Sequence, residues 1–300
     1  MPSFRGAPVR VRVPATSANL GPGFDSAGLA LSLYDEVVVQ VVDTGLTVDI
    51  EGEGADYLPR DERHLIVSSL HAAFDRLGGR PGGLAISCTN RIPHSRGLGS
   101  SSAAICAAVV AARALVDHGV DALGDDALLD LADELEGHPD NVAACLRGGV
   151  TFAWGDPVRV LRLDADPRLA PVALVPTTRS STKKVRGLLP ASVPYEDAVF
   201  NAARAALLPT ALTSAPELLM AATEDRLHQQ YRAPAMPDSA DLVARLRADG
   251  IPAVISGAGP TVLALVTAED VRLVTSGAVE GWSVLPLEVA ATGASVVPNG

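Results

Sequence analysis

The chain has 300 residues, of which 48% are hydrophobic, 4% aromatic and 20% charged, with a formal net charge of −11. This length admits two lobes or one large α+β unit whose core needs no covalent staples. The acidic balance excludes nucleic acid and an anionic membrane surface as main partners, because both require basic patches. Cys88, Cys106 and Cys145 are odd in number and scattered, without C-x-x-C spacing, so buried reduced thiols are expected rather than disulfides or a zinc site.

Residues 9–13 alternate apolar and charged side chains, as a half-buried strand does, with no apolar signal core before them. Strands are predicted at 29–42, 46–51 and 84–88, and a helix at 63–77 that ends on Gly78-Gly79. An Ala-rich helix follows at 101–116, then helices at 126–136 and from Pro139, and a hairpin of 149–154 with 158–163. The apolar run 103–112 is half the length needed to span a bilayer, so a soluble, cytoplasmic protein is expected. The second half reads as a strand at 172–175, helices at 195–208, 216–229 and 239–248, strands at 253–256 and 262–266, a short helix, and a last strand at 284–289. Strands and helices mix without regular βαβ alternation, which favours α+β. A boundary is placed at Asp166-Pro167, dividing residues 1–166 from 167–300.

The most informative run is Ile92-Pro93-His94-Ser95-Arg96-Gly97-Leu98-Gly99-Ser100-Ser101-Ser102-Ala103. Two glycines permit close backbone approach, and the serines stand at the mouth of a long helix. The first N–H groups of a helix lack intrahelical partners and its dipole is positive there, which makes a cradle for phosphates. A plain turn with a serine cap would explain a bare G-x-G-S-S. The longer agreement favours phosphate binding through Pro93, Ser95, Arg96, Gly97, Leu98, Gly99, Ser100, Ser101 and Ser102. No G-x-x-x-x-G-K-[ST] loop, complete G-x-G-x-x-G or G-x-S-x-G elbow occurs, so a P-loop NTPase, a Rossmann enzyme and a serine hydrolase are disfavoured.

Three segments in order resemble the hallmarks of the GHMP kinases. They are Pro14-Ala15-Thr16-Ser17-Ala18-Asn19-Leu20-Gly21-Pro22-Gly23-Phe24-Asp25-Ser26-Ala27-Gly28-Leu29-Ala30, the serine loop, and Ile255-Ser256-Gly257-Ala258-Gly259-Pro260-Thr261. Within that superfamily Glu136-Gly137-His138-Pro139-Asp140-Asn141, Ser181-Thr182-Lys183-Lys184-Val185-Arg186 and His228-Gln229-Gln230-Tyr231-Arg232 are similar to the homoserine kinases. The resemblance implies a ribosomal-S5-like N-terminal lobe, a ferredoxin-like C-terminal lobe and an active site between them. It also implies ATP and Mg²⁺ as cofactors, L-homoserine as substrate and a homodimer.

By the same resemblance Ser101 and Glu136 hold Mg²⁺, and Gly257 and Gly259 keep the third loop near the phosphates. Asn19, Asp25, His138, Asp140 and Asn141 surround the substrate's ammonium and hydroxyl. Arg186 and Arg232, with Thr182 nearby, take its carboxylate, for which the guanidinium fork is suited. Asp140, Asn141 and Arg186 are the catalytic candidates, and no general base is identified. Alignment, metal and helix dipole then carry the reaction, with Asp140 or Asn141 orienting the hydroxyl. His64, His71, His94 and His118 read as structural or surface residues. A mevalonate-kinase-like enzyme, a decarboxylase on the same fold and a non-catalytic binding protein stay open as alternatives.

Overall fold

The computed structural model describes residues 2–179, 185–276 and 280–298. A seven-stranded sheet has β1 (Val9–Ala18), β2 (Ala27–Val42), β4 (Gly83–Asn90) and β3 (Gly45–Gly52) side by side, with β5 (Val150–Trp154) on β2 and β6 (Arg159–Leu163) outside β5. Only β3 and β4 run parallel in this sheet; the other pairs are antiparallel. Val9, Val11 and Val13 face the core while Arg10 and Arg12 face out, as their alternation requires. The strand passes Pro14 through a register shift between Pro14 and Ala15 and then carries Thr16 to Ala18 toward the site.

Helices α2 (Ser100–Leu115) and α4 (Pro139–Arg147) pack on this sheet, and α1 (Leu65–Arg76) and α3 (Asp125–Glu136) pack against them. Eleven of the sixteen α2 residues are buried, which explains an Ala-rich helix with no polar stripe. Cys88, Cys106 and Cys145 are free and buried in this core.

A second, four-stranded antiparallel sheet has the order β10 (Trp282–Pro286), β7 (Leu169–Pro176), β9 (Val262–Thr267), β8 (Ala253–Ile255). Both of its faces are buried. Ala173, Val175, Leu263 and Leu265 join the main core, whereas Val172, Leu174, Val262 and Ala264 pack in a second one with Leu242 and Met236. Burial on both faces turns these strands into continuous apolar runs.

Four elements differ from the sequence expectation. The helix begun at 195 continues through Pro209 as α5 (Tyr195–Thr213). A mid-helix proline costs ~3 kcal/mol, but Leu208, Ala211 and Leu212 beside it are fully buried, and a buried leucine contributes ~1.5–3 kcal/mol. The expected helix at 216–229 is instead a short 3₁₀ turn and α6 (Leu219–Ala222), followed by a turn into α7 (Gln229–Arg232). Asp225 breaks it, because its carboxylate accepts the backbone N–H groups of Leu227, His228 and Gln229. Helix α8 (Pro237–Ala248) follows.

The last expected strand ends at Pro286, and a strand not foreseen, β11 (Ser295–Val297), pairs with β1 in the first sheet. The division at 166/167 therefore separates β1–β6 from β7–β10, with β11 lying across it. Among the described residues no helix is long and apolar enough to cross a membrane.

Candidate active site

The three glycine-bearing segments meet at one point. Thr16 N–H donates to the Leu98 carbonyl at 3.1 Å, Gly257 N–H to the Ala18 carbonyl at 3.1 Å, and Thr261 N–H to the Arg96 carbonyl at 3.1 Å. Ser256 Oγ donates to Gly97 O and lies 2.8 Å from Ser17 Oγ. Gly97 and Gly99 have φ of 79° and 70°. A Cβ on Gly97 would collide with the Ser256 carbonyl oxygen, and one on Gly99 with Thr16 Oγ1. Glycine is needed at both because the loop is clamped between its two companion segments.

The loop delivers the chain into α2 with Gly99 as N-cap and no side-chain cap. The first-turn N–H groups thus open into a cleft lined by Ser95, Gly97, Gly99, Ser100 and Ser101. Across it stands the C-terminal end of α3. Glu136 Oε1 accepts from Ser101 Oγ at 2.7 Å and from Ser102 Oγ at 2.8 Å. Gly137, at φ 86°, stops α3, and His138 starts α4. That tight reversal puts Glu136, His138, Asp140 and Asn141 along one wall.

Asp140 is 2% exposed, and its Oδ1 accepts from Asn141 N–H at 2.7 Å and from Asn141 Nδ2 at 3.2 Å. His138 Nδ1 lies 3.0 Å from the same oxygen, and this hydrogen bond raises the His138 pKa. Thr16 Oγ1 donates to Asn141 Oδ1 at 2.7 Å.

The same cleft carries two arginines, Arg186 and Arg232. Arg186 makes a bidentate pair with Asp25, both bonds 2.8 Å, which raises the arginine's pKa further. Asn19, itself at φ 70°, accepts the Asp25 N–H at 3.0 Å and donates to the Gly257 carbonyl at 2.9 Å. Arg232 is 2% exposed, with one terminal nitrogen 3.4 Å from both Gly257 O and His228 Nδ1 and a buried Nε lacking any partner among the described residues. Burial pushes its pKa down, and the neighbouring Arg186 charge adds to this. Phe24 lies beneath both guanidinium groups, at 5.5 Å from Arg186 and 5.1 Å from Arg232.

Asn19, Ser95, Gly97, Gly99, Ser100, Ser101, Glu136, His138, Asp140, Asn141, Arg186, Arg232 and Gly257 all line this one cleft. Asp25 joins them through Arg186, and Ser102 through Glu136. Thr182 lies outside the described residues. Arg96 points elsewhere: its guanidinium donates to the Pro176 and Thr177 carbonyls, so it ties the loop to β7 rather than facing the cleft. Leu98 is fully buried and supports the loop from below. Pro93 introduces the loop, and Gly259 packs where a Cβ would stand 2.6 Å from Met236 Sδ.

A second cavity of about 270 Å³ shares Ser95, Ser100 and Ser101 with the cleft. Its walls include Val13, Val37, Leu58, Leu65 and Ile66, with Tyr57 Oη 3.2 Å from His94 Nδ1. His94 therefore borders this cavity, and His64 caps α1 by accepting the Ile66 N–H. Phe24, Thr16 and His228 were not singled out individually from the sequence, although each lies within one of the runs that carried the resemblance.

Comparison with known proteins identifies the family. Residues 64–149 match the GHMP kinases N terminal domain and residues 203–281 the GHMP kinases C terminal family. The chain is 63% identical over 299 residues to the homoserine kinase of Streptomyces avermitilis, covering 99% of this chain and 98% of that protein. It is 49% identical to the homoserine kinase of Rhodococcus erythropolis, covering 95% of each. Among solved structures, the homoserine kinase of Cytophaga hutchinsonii superposes with a TM-score of 0.78 at 27% identity over 99% of both chains. The mevalonate kinase of L. major shares the fold, with a TM-score of 0.69 at 16% identity over 96% of this chain and 98% of that one. The chain belongs to the GHMP kinases, and within them to the homoserine kinase family.

Proposed function

We propose that the protein transfers the γ-phosphoryl group of ATP to the side-chain hydroxyl of L-homoserine, giving O-phospho-L-homoserine and ADP for threonine biosynthesis. The observation that carries this reading is Arg232. A cation 2% exposed, with a buried Nε unpartnered among the described residues, suits a substrate carboxylate, which mevalonate shares but galactose lacks. The ammonium of an amino acid then has the Asn19 side chain in the cleft and, bonded to it, the Asp25 residue whose carboxylate also holds Arg186, a pairing that mevalonate could not use.

Phosphoryl transfer demands positioning and charge neutralisation above all. The uncapped N-terminus of α2 and the Gly97–Gly99 backbone suit the phosphates, and the apolar cavity beside Ser100 and Ser101 suits the nucleotide base. Among the described residues no group of three or more His, Cys, Asp or Glu side chains is placed to hold a metal ion by itself. A metal there would take few protein ligands, which fits Mg²⁺ held mainly by phosphate oxygens and water. Ser101 and Glu136 are the residues that would hold it, and the ion would neutralise charge on the transferring phosphate.

Asp140 and Asn141 face the cleft from the start of α4, where they can orient the acceptor hydroxyl. Asp140 Oδ1 already accepts from Asn141, which favours orientation over proton abstraction for that oxygen. Residues 1–166 and 167–300 serve as the N- and C-terminal kinase domains, and the family resemblance supports a cytoplasmic homodimer. Coupled ADP release across homoserine, mevalonate, galactose and shikimate tests the assignment. Homoserine should give by far the highest kcat/KM, and equal turnover of mevalonate would overturn it.

A further inference from the structure

His228 is fully buried four residues before Arg232, yet it faces no cleft and is not in the set of candidate site residues. Its Nε2 lies 2.8 Å from the carbonyl oxygen of Gly21. A carbonyl oxygen carries no proton, so Nε2 must be the N–H. Burial disfavours a second proton on the ring, which leaves Nδ1 as a lone-pair acceptor. That acceptor lies 3.4 Å from the Arg232 terminal nitrogen.

The ring is held from other sides as well. It packs against Phe24 at 5.0 Å with a 30° tilt, and Asp225 Oδ2 lies 3.6 Å from Nε2 while accepting the His228 backbone N–H at 3.2 Å. Gly21, at φ 83°, is fixed in turn, because a Cβ there would stand 2.5 Å from the Thr223 carbonyl oxygen. One imidazole thus joins the turn that bears Asn19 and Asp25 to the helix that bears Arg232.

We propose that His228 is a positioning residue: accepting from Arg232 while donating to Gly21, it orients the guanidinium for the substrate's carboxylate. This rests on Arg232 being the carboxylate clamp of the reaction proposed above.

Three variants separate the two hydrogen bonds from the packing. His228→Phe keeps a ring against Phe24 and removes both bonds. His228→Asn places an amide oxygen where Nδ1 lies and so restores only the acceptor for Arg232. His228→Gln places an amide N–H near Nε2 and restores only the bond to Gly21.

In coupled ADP-release assays His228→Phe should lower kcat/KM for homoserine roughly tenfold or more, with KM for ATP within about twofold of wild type. His228→Asn should recover most of the loss and His228→Gln little of it. A merely structural role would let both amides recover equally, and that result would overturn the proposal. Arg232→Lys supplies the control. In the double variant with His228→Phe the losses should fail to multiply, because both changes act on one contact. Multiplying losses with an impaired Arg232→Lys reject the positioning role alone. An Arg232→Lys enzyme with unchanged homoserine kinetics rejects the clamp, and the positioning role with it. Thermal melts check folding, and if His228→Phe melts far below wild type the Asn–Gln comparison decides.

Discussion

Replacing Arg232 by lysine keeps the charge and removes the fork, so it isolates what geometry contributes. One terminal nitrogen of Arg232 lies toward Gly257 O and His228 Nδ1, leaving Nε and the other terminal nitrogen as a parallel pair for a carboxylate. Lysine offers a single ammonium, so one of two charge-assisted bonds is lost. Each is worth ~1.5–3 kcal/mol, which corresponds to a fall in kcat/KM for homoserine of roughly 10- to 100-fold. The Gly257 carbonyl keeps its donor from Asn19 at 2.9 Å, so the fold should be spared. Turnover of 3-aminopropan-1-ol, which lacks the carboxylate, should change little between variant and wild type. The rise in melting temperature caused by ATP–Mg²⁺ without homoserine should also persist. Weakening of ATP and homoserine alike, or of neither, would refute the reasoning and leave Arg186 as the remaining candidate.

Glu136→Gln keeps an acceptor for Ser101 and Ser102 but offers a metal a neutral amide, so kcat should fall by more than ~10-fold at limiting Mg²⁺ with unchanged far-UV circular dichroism. Wild-type rates there would remove Glu136 from the metal site. Gly99→Ala forces a side chain into the left-handed region at φ 70° and onto Thr16 Oγ1. Strain of ~1–2 kcal/mol plus overpacking of ~1–3 kcal/mol should appear as a destabilisation of at least ~2 kcal/mol in urea titrations. Asp35, 5% exposed, has its pKa raised by burial from 3.8 to about 6, despite accepting the Arg91 and Ile92 N–H groups. Between about pH 4 and 6 the unfolded chain gives up this proton while the native one keeps it, so stability falls with rising pH by ~3 kcal/mol and stays lower above pH 6. Asp35→Asn, which still accepts both N–H groups, should flatten that part of the pH–stability profile, and an unaltered slope would count against the assignment.

The lining of the candidate cleft was largely legible because its residues lie in contiguous runs whose backbone chemistry is local. Gly97, Gly99 and the serines belong to one loop and helix start, and Glu136 to Asn141 belong to one reversal between helices. Arg96 misled because a basic residue in a phosphate loop reads as an anion ligand. Its partners, the Pro176 and Thr177 carbonyls, lie 80 and 81 residues away in sequence. The helix expected at 216–229 failed for a related reason. Its composition is helical, but Asp225 captures three N–H groups and turns the chain. Pro209 misled in the opposite sense, since tertiary burial of Leu208, Ala211 and Leu212 overrode the local penalty. His228 could be read only with Gly21 in view, a partner 207 positions away.

Strand β11, the last strand of the described residues, pairs antiparallel with the first, setting Val297 opposite Arg10 and Ser295 opposite Arg12. On the ribosome β1 is made before β2 to β10, and all of these precede its second partner, β11. Throughout that interval one flank of β1 is a row of free amide donors and acceptors, the kind of edge that recruits other nascent chains. Arg10 and Arg12 project from the solvent face of that strand, Arg10 paired with Glu36 at 3.1 Å and Arg12 lying over Tyr34 at 3.6 Å. Charged side chains on a strand edge disfavour such pairing, so Arg10 and Arg12 suit a strand whose flank stays open until residues 295–297 arrive.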